Sequence, residues 1–127
     1  SPSKEQDAEV VAAAGEGFVE LVEGDLETTP EAEACVRRVL EPILRQGADQ
    51  IVLGCTHYPF LLPAIERVAA GWGAAIVDPS PAVARRVAQL LDRYALHAPA
   101  DRAPRFGFRT FADEAYRRRL ERKALGR

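Results

Sequence analysis

The sequence predicts an α/β fold with a mainly parallel sheet flanked by helices. Two observations support this prediction. Short apolar runs typical of buried strands alternate with longer segments in which apolar residues recur at helical spacing. Each helical segment is also long enough to connect two parallel strands by a right-handed crossover. With 127 residues, the chain is expected to build one core.

The first predicted strand covers residues 9 to 14, EVVAAA, and two glycines follow it. A helix is predicted after the stretch DLETTP, because Thr28 or Thr29 can cap a helix whose first turn contains Pro30. Glutamates near this start favour the positive end of the helix dipole. The chain therefore begins with a strand and a helix.

This helix carries one broad apolar stripe, which indicates that it packs against the rest of the fold. Pro42 lies within the stripe and removes a backbone hydrogen bond, so we expect a kink or an early end there. Gly47 supplies a stop. The stripe consists of Cys35, Val36, Val39, Leu40, Ile43 and Leu44.

A second strand is predicted at Asp49 to Gly54, where the unbroken apolar run Ile51 to Leu53 suggests cover on both faces. The next helix is expected to begin near Pro59 or Phe60 and to end at the glycines of the stretch AAGWG. The stretch AAIVDPS then predicts a third short buried strand.

The last third of the chain begins with a helix that Ser80 caps and Pro81 starts. Residues 95 to 104 are predicted to form a loop, and a last, charged helix is expected from about Asp113. The apolar face of the first of these helices consists of Val83, Val87, Leu90, Leu91 and Tyr94.

The composition excludes several classes of partner. The net charge of −2 is scattered along the chain, and no apolar run approaches the roughly 18 residues of a membrane span, so neither nucleic acid nor a membrane is expected as a partner. The basic cluster near the C-terminus is interrupted by Glu114 and Glu121, which favours a solvated helix face. Two cysteines without a signal peptide indicate free thiols and a cytoplasmic protein.

No cofactor and no metal are expected. The only lysines, Lys4 and Lys123, lie near the chain ends, which disfavours a buried Schiff base. Neither of the common glycine-rich phosphate motifs occurs. The two cysteines and the two histidines are spaced too widely for a compact zinc site.

The stretch LGCTHYP places Cys55, Thr56 and His57 after a predicted strand, where open parallel sheets bind ligands. A thiolate is a useful base or nucleophile, and a helix N-terminus and neighbouring donors favour it. A free cysteine is otherwise usually a small buried hydrophobe. The position after the strand favours a functional Cys55, whereas Cys35 on its helix stripe is expected to be a core thiol and Tyr58 a packing residue.

The stretches IVLGCTHYPFLLPAI and IVDPSPAVARRVAQLL resemble the C-terminal half of the glutamate racemases. The resemblance implies part of a two-domain Asp/Glu racemase. Residues 1–78 would form the second half of the inner domain, and residues 79–127 would complete an N-terminal domain that is missing here. Because the chain lacks methionine and starts at Ser1, we expect a fragment.

The resemblance implies cofactor-independent racemisation of L-glutamate to D-glutamate for peptidoglycan synthesis, by two cysteines on opposite faces of the substrate. Cys55 resembles the second cysteine, and His57 resembles the residue that assists it. Thr56 resembles a residue that holds the substrate. Glu23 matches an acidic residue near the active site, with Glu20 as a close competitor. Aspartate racemases typically have glutamate after Cys-Thr, so His57 favours glutamate.

The first catalytic cysteine of the family has no counterpart, and one base can exchange a proton but cannot deliver it to the other face. We expect the chain alone to be poorly stable, partly open, or associated with a second copy or with an N-terminal half. Besides an inactive fragment and an aspartate racemase-like enzyme, two alternatives stay open. One is a hydrolase or transferase with Cys55 as nucleophile, for which no residue orienting His57 is evident. The other is a module that only binds a carboxylate.

Overall fold

The computed structural model describes residues 8–126. The chain divides into two compact units, Ser1–Val83 and Ala84–Arg127. In chain order the elements are α1 (Phe18–Glu23), α2 (Pro30–Arg45), β1 (Gln50–Val52), a 3₁₀ turn (Tyr58–Leu61), α3 (Leu62–Ala70), β2 (Ala75–Val77), α4 (Ser80–Arg93) and α5 (Glu114–Leu125).

The sheet consists of β1 and β2, which pair in parallel with Ile51 opposite Ile76. The pairing extends past the end of β1, since the amide of Leu53 donates to the carbonyl of Val77 at 3.1 Å. Because α3 connects the two strands, this part of the chain is a β–α–β unit. The predicted α/β class with a parallel sheet is confirmed.

The core of the first unit lies between α1, α2, α3 and one face of the sheet. An ion pair joins α2 and α3 at the surface, where Arg67 Nε donates to Glu33 Oε2 at 2.8 Å. Arg67, and after it Arg37, hold the pKa of the Glu33 carboxyl below its ordinary value. The largest fully buried side chains are Leu61, Ile65, Val22, Val36 and Val68.

The predicted cover of β1 on both faces is wrong. Alternate residues of a strand face opposite sides, and here Ile51 and Leu53 join the core with 7% and 4% exposure. Val52 between them is 66% exposed, and Val77 on β2 is 39% exposed. The unbroken apolar run therefore marks a strand whose burial, in residues 8–83, comes from the helices on one face only.

The predicted strand at residues 9 to 14 is also wrong, because these residues adopt no regular structure. Val10 is 86% exposed and Val11 47%. A strand needs a neighbour to satisfy its N–H and C=O groups, and the sheet of the described chain contains only β1 and β2. The regular structure of this region is instead the short helix α1, whose last residue is Glu23.

Thr29 is the residue that caps α2. Its hydroxyl oxygen accepts a hydrogen bond from the amide of Ala32 at 3.3 Å and donates to the carbonyl of Leu26 at 2.5 Å. The two bonds satisfy one free N–H at the helix start and tie it to the preceding turn. The structure thus decides between the two threonines that could serve as the cap.

Of the kink or early end expected at Pro42, the early end is wrong, since the helix continues to Arg45. The residues after Pro42 include Leu44, which is only 3% exposed, so core packing holds the last turn despite the missing amide. Gly47 ends the helix as predicted. Its φ of +95° is one that glycine adopts without strain, and the amide of Ala48 closes the end on the carbonyl of Ile43 at 3.3 Å.

The helix α4 has the predicted apolar face, but no residue of α4 is buried. Val83 is 59% exposed and Val87 50%. In the second unit, Asp113 caps α5 by accepting from the amide of Tyr116 at 2.8 Å. Arg117 pairs with acidic neighbours on α5, as expected for a solvated helix face. No helix in residues 8–126 is both long enough and apolar enough to cross a membrane.

Candidate active site

The turn that carries the candidate residues follows β1 directly. The amide of Tyr58 donates to the carbonyl of Cys55 at 3.2 Å, and the amide of Phe60 donates to the carbonyl of His57 at 3.2 Å. These bonds fold the turn tightly against the 3₁₀ helix. They also occupy two of the N–H groups at the helix start, so these two amides are not available to stabilise a thiolate.

The tight turn brings two of the predicted side chains together. The Cys55 sulfur lies 4.0 Å from Nδ1 of His57, a long hydrogen bond to sulfur. Both side chains are partly exposed, and Thr56 between them is exposed. Hydrogen bonds between catalytic groups are often long without substrate, so this spacing suits a thiol and an imidazole that exchange a proton.

The other ring nitrogen of His57 contacts a carboxylate from a different element. Glu23 Oε1 lies 3.3 Å from His57 Nε2, and the two side chains are 39% and 28% exposed. Glu20, in the first turn of the same helix, is exposed. The geometry therefore selects Glu23 over Glu20 as the neighbour of the histidine.

The resulting order is thiol, imidazole, carboxylate. If the carboxylate of Glu23 accepts the Nε2–H proton, Nδ1 presents its lone pair to the sulfur of Cys55. Such an imidazole can take the thiol proton, and the carboxylate stabilises the imidazolium that forms. In that tautomer Glu23 lies where a residue orienting His57 would lie, and no such residue was evident from the sequence.

Gly15 and Phe18 support this turn through Tyr58, and the sequence did not assign either of them to the site. The hydroxyl oxygen of Tyr58 accepts a hydrogen bond from the amide of Gly15 at 3.2 Å. Its ring packs edge-on against Phe18, with 5.2 Å between ring centroids. The packing role predicted for Tyr58 is confirmed, and its hydrogen bond is new.

Cys35 is a core thiol, as predicted, with 6% exposure. Its S–H donates to the carbonyl of Glu16 at 3.3 Å, and Arg38 Nη2 donates to its sulfur at 3.3 Å. The thiol therefore tethers the segment before α1 to α2. It lies outside the group formed by Cys55, His57 and Glu23.

The first unit also has an open groove of about 840 Å³ beside the start of α2. Arg37, Arg38 and Arg67 contribute to its wall, but none of Cys55, His57 and Glu23 does. The arginines of this wall are paired with neighbouring groups of the same unit. The candidate site is thus a partly exposed surface cluster rather than this groove. Within residues 8–126, no cluster of three or more His, Cys, Asp or Glu side chains is arranged to hold a metal ion.

Residues 2–87 match the sequence profile of the family described as Asp/Glu/Hydantoin racemase. The chain belongs to this racemase family. The matched range includes the thiol, the imidazole and the carboxylate described above, together with both strands.

Among curated members of the racemase family, the glutamate racemase of Deinococcus radiodurans is 43% identical over 111 residues. That match covers 87% of this chain and 38% of the relative. The glutamate racemase of Methylococcus capsulatus is 51% identical over 85 residues, covering 66% of this chain and 31% of the relative. The chain therefore spans less than half the length of these relatives.

Solved structures of the family show the same fold. The glutamate racemase of Thermus thermophilus, in complex with beta-chloro-D-alanine, superposes with a TM-score of 0.75 and 39% identity over 91% of this chain and 43% of its own. That of Francisella tularensis, in complex with D-glutamate, reaches 0.82 at 21% identity, covering 98% of this chain and 46% of its own. The second likeness supports the fold alone.

Proposed function

We propose that this chain carries one half of a glutamate racemase active site, in which Cys55 moves the α-proton on one face of glutamate. The observation that carries the proposal is the order Cys55, His57, Glu23 at the carboxyl end of β1. Membership of the racemase family and the similarity to glutamate racemases support glutamate as the substrate.

The proposed proton path uses groups that are in contact. The S–H proton of Cys55 passes to Nδ1 of His57, and Glu23 stabilises the imidazolium through Nε2–H. The thiolate then takes the α-proton of glutamate, which restores S–H and leaves a carbanion. In the reverse direction the S–H of Cys55 protonates the carbanion, and His57 returns a proton to the sulfur.

Inversion needs a second base on the opposite face of the substrate. Cys35 does not supply it, because its sulfur is buried and bonded to Glu16 and Arg38. The second cysteine therefore comes from a part of the racemase that residues 8–126 do not include. Residues 1–78 and 79–127 belong to different domains of that enzyme.

The enzyme supplies D-glutamate for peptidoglycan synthesis. The exposed hydroxyl of Thr56 holds the substrate beside Cys55.

The experiment is solvent exchange. The chain is incubated in D₂O with L-glutamate and, separately, with D-glutamate, and loss of the α-proton is followed by NMR while chirality is followed by chromatography. We expect exchange of one enantiomer without inversion. Cys55→Ser is expected to abolish the exchange, and the matched variant Cys35→Ala to retain it. Full exchange by Cys55→Ser would refute the proposed base.

A second candidate is a cysteine hydrolase or transferase, which the contact of Glu23 with His57 favours because a third residue orients the histidine. It predicts an acyl group on Cys55. Incubation with glutamate p-nitrophenyl ester, followed by mass spectrometry of the intact chain, separates the two. A stable acyl adduct that Cys55→Ser lacks supports the hydrolase, and α-deuteration without an adduct supports the racemase half-site.

A further inference from the structure

The helix α1 contacts the Cys-Thr-His-Tyr turn at both of its ends. Its first residue, Phe18, packs edge-on against Tyr58, and its last residue, Glu23, lies 3.3 Å from His57. His57 and Tyr58 are consecutive in the chain. Two neighbouring residues of the turn therefore hold the two ends of one six-residue helix, which is about 9 Å long.

Gly15 connects Tyr58 to the start of this helix. Its N–H donates to the Tyr58 hydroxyl oxygen at 3.2 Å, and its carbonyl accepts from the amide of Phe18 at 3.0 Å. A Cβ atom at this position would lie 2.6 Å from the Tyr58 oxygen and 2.6 Å from Cδ2 of Phe18. The close approach of the two rings therefore requires glycine here.

Buried side chains anchor α1 in the core near both of its ends. Phe18, its first residue, is 3% exposed, and Val22, the residue before Glu23, is fully buried. The contact of Glu23 with His57 is itself partly exposed, and contacts of this kind are weak on their own. The contact with the histidine thus depends on where the anchored helix places Glu23.

We propose that Tyr58 is a positioning residue. Its hydroxyl, through Gly15, and its ring, through Phe18, place α1 so that Glu23 accepts the Nε2–H proton of His57. This positioning of Glu23 does not depend on any assigned activity. Its consequence for proton transfer by Cys55 rests on the proposed function.

The consequence that can be measured is the position of the imidazole proton. With Glu23 in place, the neutral ring of His57 carries its proton on Nε2 and faces Cys55 with Nδ1. Tyr58→Phe keeps the ring but removes the acceptor of the Gly15 amide. Gly15→Ala drives the two rings apart by a different route. Both variants should release Glu23 and give a mixture of the two tautomers.

The first experiment uses the ¹⁵N-labelled chain at about pH 8, where long-range ¹H–¹⁵N spectra distinguish the tautomers of a neutral imidazole. The chain has two histidines, and His97, exposed and close to Asp92, serves as the internal reference. We expect one dominant His57 tautomer in the wild type and a mixture in Tyr58→Phe and Gly15→Ala. Tyr94→Phe, at an exposed tyrosine, should leave both histidines unchanged.

A general loosening of the core is separated from positioning by Ile65→Val, which removes a methylene from a fully buried side chain of α3. This variant should lower the unfolding midpoint and keep the wild-type tautomer. If Tyr58→Phe and Gly15→Ala both keep it as well, Tyr58 does not position Glu23. The proposal is also overturned if the tautomers of His57 shift as much in Ile65→Val as in Tyr58→Phe. If Tyr58→Phe does not fold, the tautomer of His57 in Gly15→Ala alone tests the proposal.

The second experiment is the α-deuterium exchange of glutamate. Tyr58→Phe should lower kcat about 10-fold and KM little, since general acid–base assistance is lost while the substrate contacts remain. The double variant Tyr58→Phe/Glu23→Gln should be no slower than Glu23→Gln alone, because both changes interrupt one path. If the double variant lost kcat by the product of the two single losses, Tyr58 and Glu23 would not act on one path. Absence of exchange in the wild type refutes the proposed function and leaves the tautomer result to decide the positioning.

Discussion

Glu23 Oε1 lies 3.3 Å from Nε2 of His57, so the last residue of α1 contacts the turn that follows β1. The contact occupies the ring nitrogen remote from Cys55 and leaves Nδ1 for the sulfur, 4.0 Å away. All three residues belong to the first compact unit. The thiol, the imidazole and the carboxylate therefore come together within one compact unit.

The first prediction concerns the carboxylate on His57. Glu23→Gln keeps the size of the side chain but removes the charge that stabilises the imidazolium, so the α-deuterium exchange should fall about 10- to 100-fold. The free energy of unfolding should change by less than about 0.5 kcal/mol, because the contact is partly exposed. Glu20→Gln, on the same helix, is the matched control and should exchange at the wild-type rate. Equal losses in both variants would contradict the selection of Glu23.

The second prediction concerns the two thiols. Cys55 is partly exposed, whereas Cys35 is buried and held between Glu16 and Arg38. Iodoacetamide should therefore label Cys55 in the native chain and both cysteines in urea, as measured by mass spectrometry of the peptides. In Cys55→Ser, native labelling should disappear. Rapid native labelling of Cys35 would show that the segment before α1 opens readily.

The third prediction concerns the two faces of β1. Ile51→Thr places a hydroxyl in the core, and its cost is expected to be about 2 kcal/mol or more of unfolding free energy. The same replacement at Val52, which is 66% exposed, should cost less than about 0.5 kcal/mol. Urea unfolding measures both values. A large loss in Val52→Thr would mean that another copy or another chain covers this face in solution.

The elements set by local chemistry were predictable from the sequence. The cap at the start of α2, the glycine at its end and the turn after β1 all depend on residues close together in the chain. Burial depends on what packs from elsewhere, which explains why the cover of β1 and the strand at residues 9 to 14 were predicted wrongly. The run EVVAAA is apolar enough for a strand, but residues 8–83 offer it no partner.

One part of the candidate site follows from the local sequence, and the other part depends on packing from elsewhere in the chain. Cys55 and His57 lie two residues apart, so their proximity follows from the turn itself. Glu23 could be placed beside them only by resemblance, because its helix is brought to the turn by the buried side chains of Phe18 and Val22. The bond from Gly15 to Tyr58 joins residues 43 positions apart, and no local pattern predicts it.

The fourth prediction tests the cap of α2. Thr29→Ala removes the oxygen that accepts from Ala32 and is expected to destabilise the chain by about 1 kcal/mol. The neighbouring Thr28→Ala is the matched control, since Thr28 is exposed and lies one position before the cap. Urea unfolding compares the two variants. A loss confined to Thr28→Ala would show that the helix begins one residue earlier in solution.

The fifth prediction concerns acid and the helix α5. Hydrogen bonds from Arg117, and after it from Arg118, lower the pKa of Glu114 from its ordinary 4.5 to about 2. Since the folded carboxyl is the stronger acid, its contribution to stability is complete above about pH 4.5 and is lost as the pH falls through about 2. Glu114→Gln should therefore have a lower melting temperature than the wild type near neutral pH, as measured by far-ultraviolet circular dichroism. The difference between the two melting temperatures should vanish near pH 2. High salt should shrink this difference, because the pair is exposed. Asp101→Asn, in an exposed loop of the same unit, should not reproduce it. A difference that persists unchanged at pH 2 would exclude ionisation of Glu114 as its cause.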